Sequence, residues 1–444
     1  MRKPLLYVLL LVVFILASFH ETALAKGQSS NNLQQLIDRT PSGGTLNIPP
    51  GIYQAPIMIT KPIKLKGERA TIAHDGKGPA LTVKSDQVYL EGIHIQAAHL
   101  SKKDPTILIQ GKHNTLQQIT IETSGSGIFL RQSQDNQIKQ VVIRGLWDGT
   151  NEQSRLSQRG NGIDLLESHR NEISNCQISS MHDGIYLESS DDNRVVDNQV
   201  NRSRYGYHFM YSARPILEGN RGDQNVTGAM VMGADNATVV HNQFRKQSEN
   251  VNSQGLLLFE VNHSLIRDNV MDGNRVGIYV EKSSDNKLVK NQVVRNFIGL
   301  QMKGSANNQI VQNDWLANVT QVESMDSSSN QVNHNYWDDF QGLSLSGTNE
   351  SDLPYHISPF FLKLATRNPA YQMFFHAPGT VFLEGLLYTD QSQGMTDPAP
   401  LMKPSTAGMT DNDKGQTVTY SVFVSMLLFV SSCVLYLLFG RKTR

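Results

Sequence analysis

Cysteine is nearly missing from this 444-residue chain, which has only two, and neither sign of charge is in excess. Cys176 lies mid-chain and Cys433 lies in an apolar run near the end, so no disulfide framework is available and stability must come from a packed core. Forty basic residues balance 40 acidic residues, which gives a formal net charge of +0. The balance offers no electrostatic basis for a nucleic-acid partner.

Long apolar runs are confined to the two ends of the chain. The first follows two basic residues and precedes a small-residue cleavage site, so residues 1–25 are interpreted as a secretory signal peptide. The second, residues 418–439, carries no charge and is long enough to span a bilayer, which predicts a transmembrane helix over 417–440. Basic residues after it predict a cytoplasmic tail at 441–444, with everything before the helix outside.

Glycine and asparagine recur through the middle of the chain at a fixed interval of 22 residues. A fixed period of this length indicates stacked coils of similar structure. The glycines are Gly162, Gly184, Gly206 and Gly228 and, after one longer step, Gly255, Gly277 and Gly299. The asparagines, 14 places after each repeat start, are Asn198, Asn220, Asn242, Asn269, Asn291, Asn313 and Asn335.

Residues after each glycine alternate in character. The first and third positions are nearly all apolar, as in Ile185 and Leu187, which predicts a short strand with one buried face. Strands this short, at this interval, leave no room for helices. We therefore predict an all-β fold, a right-handed single-stranded parallel β-helix whose coils hydrogen-bond to one another. Cys176 falls in the asparagine register and is interpreted as a small buried side chain rather than a reactive thiol.

The β-helix is predicted over residues 26–340, with less regular spacing at its start. Residues 41–67 resemble the opening coils of pectate-lyase-like proteins. Residues 32–39 predict a short amphipathic helix that caps the open end, because an uncapped sheet edge invites aggregation.

Two segments separate the β-helix from the predicted membrane helix. Residues 341–388 are rich in Phe, Leu and Pro and are predicted to cap or dock on the end of the solenoid. Residues 389–416 are predicted to be a flexible linker. Met395, Met402 and Met409 fall seven apart within it; contact with Cu(I) and chance spacing are both open interpretations.

The second and fourth positions after each glycine face outward from the predicted strands. They are polar or charged at both ends of the stack, whereas two adjacent coils in its middle carry His208, Met210, Met230 and Met232. Thioether sulfur and imidazole nitrogen suit Cu(I), and zinc would need more Cys, His or carboxylate ligands. We predict a transient Cu(I) site at these four residues. The alternative is that the methionines pack beneath the C-terminal segment or contact another protein.

Two insertions interrupt the 22-residue step on either side of these coils. Gly127 and Gly162 are 35 residues apart, and Gly228 and Gly255 are 27 apart. Insertions in a solenoid emerge as loops, often beside the binding face. We predict a partner-binding surface in this region, formed by Trp147, Tyr186, Leu257 and Phe259.

Acidic residues of the outward columns do not predict a catalytic centre. A lyase needs carboxylates gathered for Ca²⁺, and a glycosidase needs two that face each other across a cleft. Asp164, Glu188 and Glu281 are too scattered for either, and Asp183 is interpreted as an ordinary turn residue. The sequence therefore predicts no enzyme. The alternatives are a carbohydrate-active β-helix protein (a lyase, epimerase or hydrolase) and a cell-surface adhesin.

Three segments carry a more specific pattern than the repeats. They are residues 204–212 (RYGYHFMYS), residues 335–340 (NYWDDF) with 352–355 (DLPY), and residues 367–370 (RNPA). Together they resemble the NosD family, periplasmic maturation factors of the denitrification enzyme nitrous oxide reductase. His208 and Met210 lie inside the first of these motifs.

The resemblance implies a role in binding and delivery, not catalysis. It implies copper as the cargo, with sulfur delivery also permitted. It also implies three partners: an ABC transporter with its permease and ATPase, a copper chaperone lipoprotein, and nitrous oxide reductase. A C-terminal membrane helix is not a feature we associate with members that are free in a periplasm. With it, we expect an exported single-pass protein of the cell membrane, its β-helix extracytoplasmic.

Overall fold

The computed structural model describes residues 32–146, 156–247, 253–357 and 395–405. Within these ranges the chain forms a parallel β-solenoid with almost no helix, as the 22-residue period predicted. Each coil contributes one strand to a twelve-stranded sheet, which we name the front sheet. Its strands are β3 (Ile57–Ile59), β5 (Leu81–Val83), β7 (Pro105–Ile109), β10 (Ser126–Arg131), β13 (Ile163–Leu166), β16 (Asp183–Glu188), β19 (Tyr205–Met210), β22 (Thr227–Met232), β25 (Gln254–Phe259), β28 (Val276–Glu281), β31 (Ile298–Lys303) and β34 (Thr320–Met325).

The remaining two sides of the solenoid form a 24-stranded rear sheet with two rows of parallel strands. Two long strands, β4 (Lys64–Ala73) and β6 (Tyr89–Ala97), run through both rows. The first row contains β1 (Thr45–Asn47), β8 (Thr115–Gln117), β11 (Gln137–Lys139), β14 (Glu172–Ser174), β17 (Arg194–Val196), β20 (Ile216–Glu218), β23 (Thr238–Val240), β26 (Leu265–Arg267), β29 (Lys287–Val289), β32 (Gln309–Val311) and β35 (Gln331–Asn333). The second contains β2 (Gly51–Gln54), β9 (Thr120–Thr123), β12 (Val142–Gly145), β15 (Gln177–Ser179), β18 (Gln199–Asn201), β21 (Arg221–Asp223), β24 (Gln243–Arg245), β27 (Val270–Asp272), β30 (Gln292–Val294), β33 (Asp314–Leu316) and β36 (Tyr336–Trp337).

Equivalent residues of successive coils lie directly beside one another. Ile185 of β16 pairs with Ile163 on one side and with Tyr207 on the other, and all three are fully buried. Because side chains alternate across a strand, the residues between these positions face outward. The core is therefore a column of apolar side chains along the axis, and the outer wall of the front sheet is a second, separate column.

The glycine register has a steric cause. A Cβ added to Gly206 would lie under 3.0 Å from the carbonyl oxygen of Gly228, and the same holds for Gly228 against Gly255. At this corner each coil approaches the backbone of the next too closely for a side chain. Only glycine fits without a shift of the backbone.

The asparagine register forms a ladder of side-chain hydrogen bonds from coil to coil. The Asn198 side-chain amide donates to Asn220 Oδ1 at 3.0 Å, and Asn220 donates in turn to Asn242 Oδ1 at 3.1 Å. Cys176 takes the preceding place, where its backbone N–H donates to Asn198 Oδ1. Burial raises the pKa of the Cys176 thiol to about 12, so this thiol stays protonated and inert at neutral pH.

Two further buried ladders, neither of them predicted from the sequence, lie at other corners of the solenoid. Each obeys the same 22-residue step over at least part of its length. One includes Asn171, Asn193, Asn286 and Asn308, and the other includes Asn274, Asn296 and Asn318. These side-chain amides accept hydrogen bonds from buried backbone N–H groups at the corners, as Asn193 does from Asn171.

The predicted N-terminal cap is present as helix α1 (Leu33–Arg39). Asn32 caps the helix by accepting a hydrogen bond from the Gln34 N–H, and Leu33 and Ile37 bury the apolar face. Gln34 also bonds the backbone of Met58 in β3 through both its side-chain oxygen and its side-chain nitrogen. The helix therefore covers the first edge of the front sheet.

The far end of the solenoid is closed by residues that the sequence analysis assigned to a flexible linker. β37 (Tyr355–His356) pairs antiparallel with β38 (Thr396–Asp397), which anchors residues 395–405 on the last coils. For these residues the linker prediction is wrong. Met395 packs against the core, whereas Met402 is 37% exposed.

Asp397 provides the anchor. Its fully buried carboxylate accepts hydrogen bonds from the Asn335 backbone N–H at 2.9 Å, the Asn335 side-chain amide at 3.1 Å and Trp337 Nε1 at 3.1 Å. It occupies the place that the next asparagine of the ladder would take. A carboxylate only accepts hydrogen bonds and has no N–H group that would need a partner on a further coil, so the ladder can end here.

Other predicted segments lie outside the described residues. They are the signal peptide at 1–25, most of the docking segment 341–388, the membrane helix at 417–440, the tail at 441–444, Trp147 and Met409. Among the residues that the structure describes, no helix has the length and apolar character needed to cross a membrane.

Candidate functional site

The four predicted metal ligands lie on two adjacent strands of the front sheet. His208 pairs with Met230, and Met210 pairs with Met232, in the parallel register of β19 and β22. Paired residues of neighbouring strands are about 4.8 Å apart, so the four side chains share one patch of the outer wall. The three methionines are half-buried, and the residues that alternate with them point into the core.

His208 is held by a carboxylate from the previous coil. Its Nδ1 lies 2.8 Å from Asp183 Oδ2, and the two residues are only 6% and 1% exposed. Arg204 donates to both oxygens of the same carboxylate, at 2.9 and 2.7 Å. Burial by itself raises the pKa of Asp183, but the hydrogen bonds and charges of His208 and Arg204 outweigh it and lower the pKa to about 2.

The ionised carboxylate determines which nitrogen of His208 carries the proton. A carboxylate can only accept, so Nδ1 must donate, and in the neutral form of the imidazole the lone pair is then on Nε2. That Nε2 atom is buried and has no hydrogen-bond partner among the described residues. The rings of Tyr186 and Tyr205 lie at 4.9 and 4.8 Å from the imidazole.

Tyr186 contacts a second predicted ligand. Its hydroxyl donates to Glu188 Oε2 at 2.8 Å and lies 3.4 Å from Met210 Sδ. Burial and the neighbouring Glu188 carboxylate raise the pKa of Tyr186, so the phenol stays neutral. Tyr186 was predicted as a partner-binding residue, and the structure places it between His208 and Met210.

The apolar patch continues by one coil beyond the methionines. Leu257 pairs with Met230 and Phe259 with Met232, so these two predicted partner-binding residues extend the same wall. The next coil ends the patch with Tyr279, whose hydroxyl donates to Glu281 at 2.9 Å. We call the outward residues of β19, β22 and β25 the window. A hydrogen-bonded Tyr–Glu pair flanks the window on each side.

Asp183 was assigned to a turn in the sequence analysis, and that interpretation is wrong. It is the first residue of β16 and pairs with Tyr205 of β19. The sequence did contain a sign of this position. Asp183 directly precedes Gly184, and the 22-residue register aligns it with Tyr205, which directly precedes Gly206. The described end of the first insertion also reaches this region, where Leu156 O lies 2.9 Å from Nδ1 of His182.

Other outward acids are already paired. Asp164 is 6% exposed and lies 2.7 Å from Arg131. No group of three His, Cys, Asp or Glu residues within the described ranges is arranged to hold a metal ion. A site for a hard cation or zinc is therefore not formed there, whereas one imidazole with several thioethers matches the preference of Cu(I).

Residues 148–348 match the family described as periplasmic copper-binding protein (NosD). Over these residues the chain is similar to NosD. The matched region of this NosD-like protein contains all four predicted ligands as well as Asp183 and Tyr186. Comparison with curated proteins finds no match.

Solved structures similar to this NosD-like protein include enzymes that act on carbohydrates. A point mutant of the periplasmic alginate epimerase AlgG matches with a TM-score of 0.52 and 12% identity, over 68% of this chain and 82% of that chain. The catalytic unit of an alpha-1,3-glucanase from Streptomyces thermodiastaticus matches with a TM-score of 0.52 and 12% identity, over 69% and 62%. At this identity the likeness shows the fold alone.

Proposed function

We propose that this NosD-like protein binds Cu(I) transiently on the outer wall of its front sheet and passes it to a partner. The ligands are His208 Nε2 and the thioethers of Met210, Met230 and Met232. The observation that carries the proposal is the buried, unpartnered Nε2 atom of His208 beside a methionine pair. An orphaned buried lone pair is costly unless something binds it.

The character of the ligands favours the lower oxidation state. Thioethers are soft, neutral donors that stabilise Cu(I), and neutral imidazole completes the set. No carboxylate is among the four ligands, because Asp183 is held by Arg204 and His208. Neutral ligands with half-buried thioethers give Cu(I) an affinity high enough for transport and low enough for transfer to a partner.

The family resemblance and the apolar residues of the outer wall support a proposal for the partners of this site. We propose that copper arrives from a lipoprotein chaperone and is used in the assembly of nitrous oxide reductase, together with an ABC transporter. Leu257 and Phe259, which lie in the window beside the ligands, supply an apolar docking area. The protein acts outside the cytoplasm, and residues 417–440 anchor it in the cell membrane.

A second candidate function is carbohydrate catalysis. The Asp183–His208 pair favours it, because a carboxylate-supported histidine also serves as a general base. Uronate chemistry further needs a cation to neutralise the substrate carboxylate. Arg204 is already held by Asp183 and Arg131 by Asp164, so neither is free for that task. We therefore propose a binding and delivery protein rather than an enzyme.

Complementation tests the proposed function. A strain lacking the gene would be given the wild type, His208→Ala or Gln301→Ala, and the copper content and nitrous oxide reduction of its reductase would be measured. Gln301 lies in the same outward column but outside the window. The wild type and Gln301→Ala should restore copper loading, and His208→Ala should not. Full restoration by His208→Ala contradicts the proposal. Purified protein that depolymerises or epimerises a polyuronate would favour the second candidate.

A further inference from the structure

We infer that β16 is the positioning strand of the copper site, in which Asp183 selects the imidazole nitrogen that binds copper and Tyr186 fixes one thioether. The inference rests on the proposed function and extends it to residues that are not ligands. One strand, Asp183–Glu188, contacts both ligands that the next strand supplies.

Asp183 acts on His208 through geometry that is complete without a metal. Arg204 holds the carboxylate by two hydrogen bonds, so the carboxylate cannot turn away from the imidazole. The bond to Nδ1 then fixes both the orientation of the ring and the nitrogen that carries the proton. A hydrogen bond at the second nitrogen is the usual way in which proteins orient a metal-binding histidine.

Tyr186 acts on both ligands. Its ring packs at 4.9 Å from His208, and its oxygen lies 3.4 Å from Met210 Sδ. Glu188 accepts a hydrogen bond from the hydroxyl, which fixes the position of the Tyr186 ring and of the oxygen that contacts Met210 Sδ. The flexible Met210 side chain is thus held near His208 before any ion binds, which lowers the entropic cost of binding.

The chain contains a matched control for each contact. Tyr279 and Glu281 repeat the Tyr186–Glu188 hydrogen bond four coils further along the same face, without a predicted ligand beside them. Asp235 and His263 repeat the aspartate–histidine hydrogen bond at 2.8 Å on an exposed turn. Changes there test for general effects on the fold.

The experiment has one readout without copper and one with it. In the copper-free protein, ¹⁵N NMR of the histidine side chains should show His208 protonated at Nδ1. Asp183→Asn should shift that population toward the other tautomer, since an amide can donate as well as accept. In a Cu(I) competition titration, Asp183→Asn should weaken binding by about tenfold to a hundredfold. Tyr186→Phe should weaken it by a few-fold, and Asp235→Asn and Tyr279→Phe should have no effect.

The outcomes separate this inference from the proposed function. A wild type that binds Cu(I), with Asp183→Asn and Tyr186→Phe that bind it equally well, overturns the inference alone. A copper-free wild type with His208 protonated at Nε2 also overturns it. A wild type that binds no Cu(I) overturns the proposed function and, with it, this role of β16. Tyr186→Phe removes one oxygen atom only, so it keeps the inference testable if Asp183→Asn proves unstable.

Discussion

His208 Nδ1 lies 2.8 Å from the carboxylate of Asp183, a residue 25 positions earlier in the chain. The stacking of coils creates this contact, because Asp183 is the partner of Tyr205 in the register and His208 follows three residues later. The same stacking places Met230 beside His208 from the opposite side. A histidine with one nitrogen fixed and the other free therefore lies between a carboxylate and a thioether.

Replacement of the thioethers by hydrocarbon should separate binding from packing. Met230→Leu with Met232→Leu conserves volume and should cost less than about 1.5 kcal/mol of unfolding free energy. Loss of two sulfur ligands should weaken Cu(I) binding by at least about tenfold. The matched control is Met325→Leu, which changes an outward methionine of the same column on β34. Competition titration and urea unfolding measure the two effects. Equal Cu(I) affinity in the double variant and in the control would mean that sulfur does not bind the ion.

Acid should destabilise the copper-free protein partly through Asp183. Burial opposes ionisation, but hydrogen bonds from His208 and Arg204 prevail and lower the pKa of Asp183 from 3.8 to about 2. A carboxyl group whose pKa is lowered by folding stabilises the folded state at a pH above its unfolded-state pKa. This contribution is lost as the pH falls through the folded-state pKa. The amount is on the order of 2 kcal/mol between about pH 4 and about pH 2.

Asp183→Asn removes that titration, so urea unfolding should show a shallower loss of stability in this window than the wild type shows. Asp192→Asn is the control, since Asp192 forms an exposed pair with Arg214 and should change the slope little. A wild-type slope retained in Asp183→Asn would show that the carboxylate is not ionised as described.

Asp397 should stabilise the closed end of the solenoid. Asp397→Ala leaves the buried donors of Asn335 and Trp337 without an acceptor, at a cost on the order of 3 kcal/mol. Asp397→Asn keeps one acceptor oxygen and should cost less. Hydrogen exchange of the Asn335 backbone amide measures the local effect, and urea unfolding measures the whole. Unchanged protection of Asn335 in Asp397→Ala would show that residues 395–405 do not cap the ladder.

The sequence predicts the solenoid because its cause is local and repeated. The glycine step reflects one close backbone approach per coil, as between Gly206 and Gly228, and the asparagine step reflects one amide bond per coil. A wrong residue at either position would disrupt the contact with the next coil, so the spacing is strictly kept. The juxtaposition of His208 with Met230 follows directly from that period.

Contacts that depend on side-chain conformation could not be obtained in this way. Asp183 occupies a position that holds Tyr205, Thr227 and Gln254 in the next coils, so no repeat marks it. Its role arises from the rotamers of His208 and Arg204. Asp397 was missed for a different reason. It lies in a Pro-rich and Ser-rich segment with no period, and only its position 62 residues from Asn335 in the ladder reveals a cap.

The most direct test is a Cu(I) competition titration of the wild type against the double variant His208→Ala/Met230→Ala. The double variant lacks one ligand from each of the two strands, and the titration needs no partner protein. A single Cu(I) ion should bind to the wild type, and the double variant should bind it at least about a hundredfold more weakly. Equal affinity in the two proteins would contradict the assignment of copper to this wall.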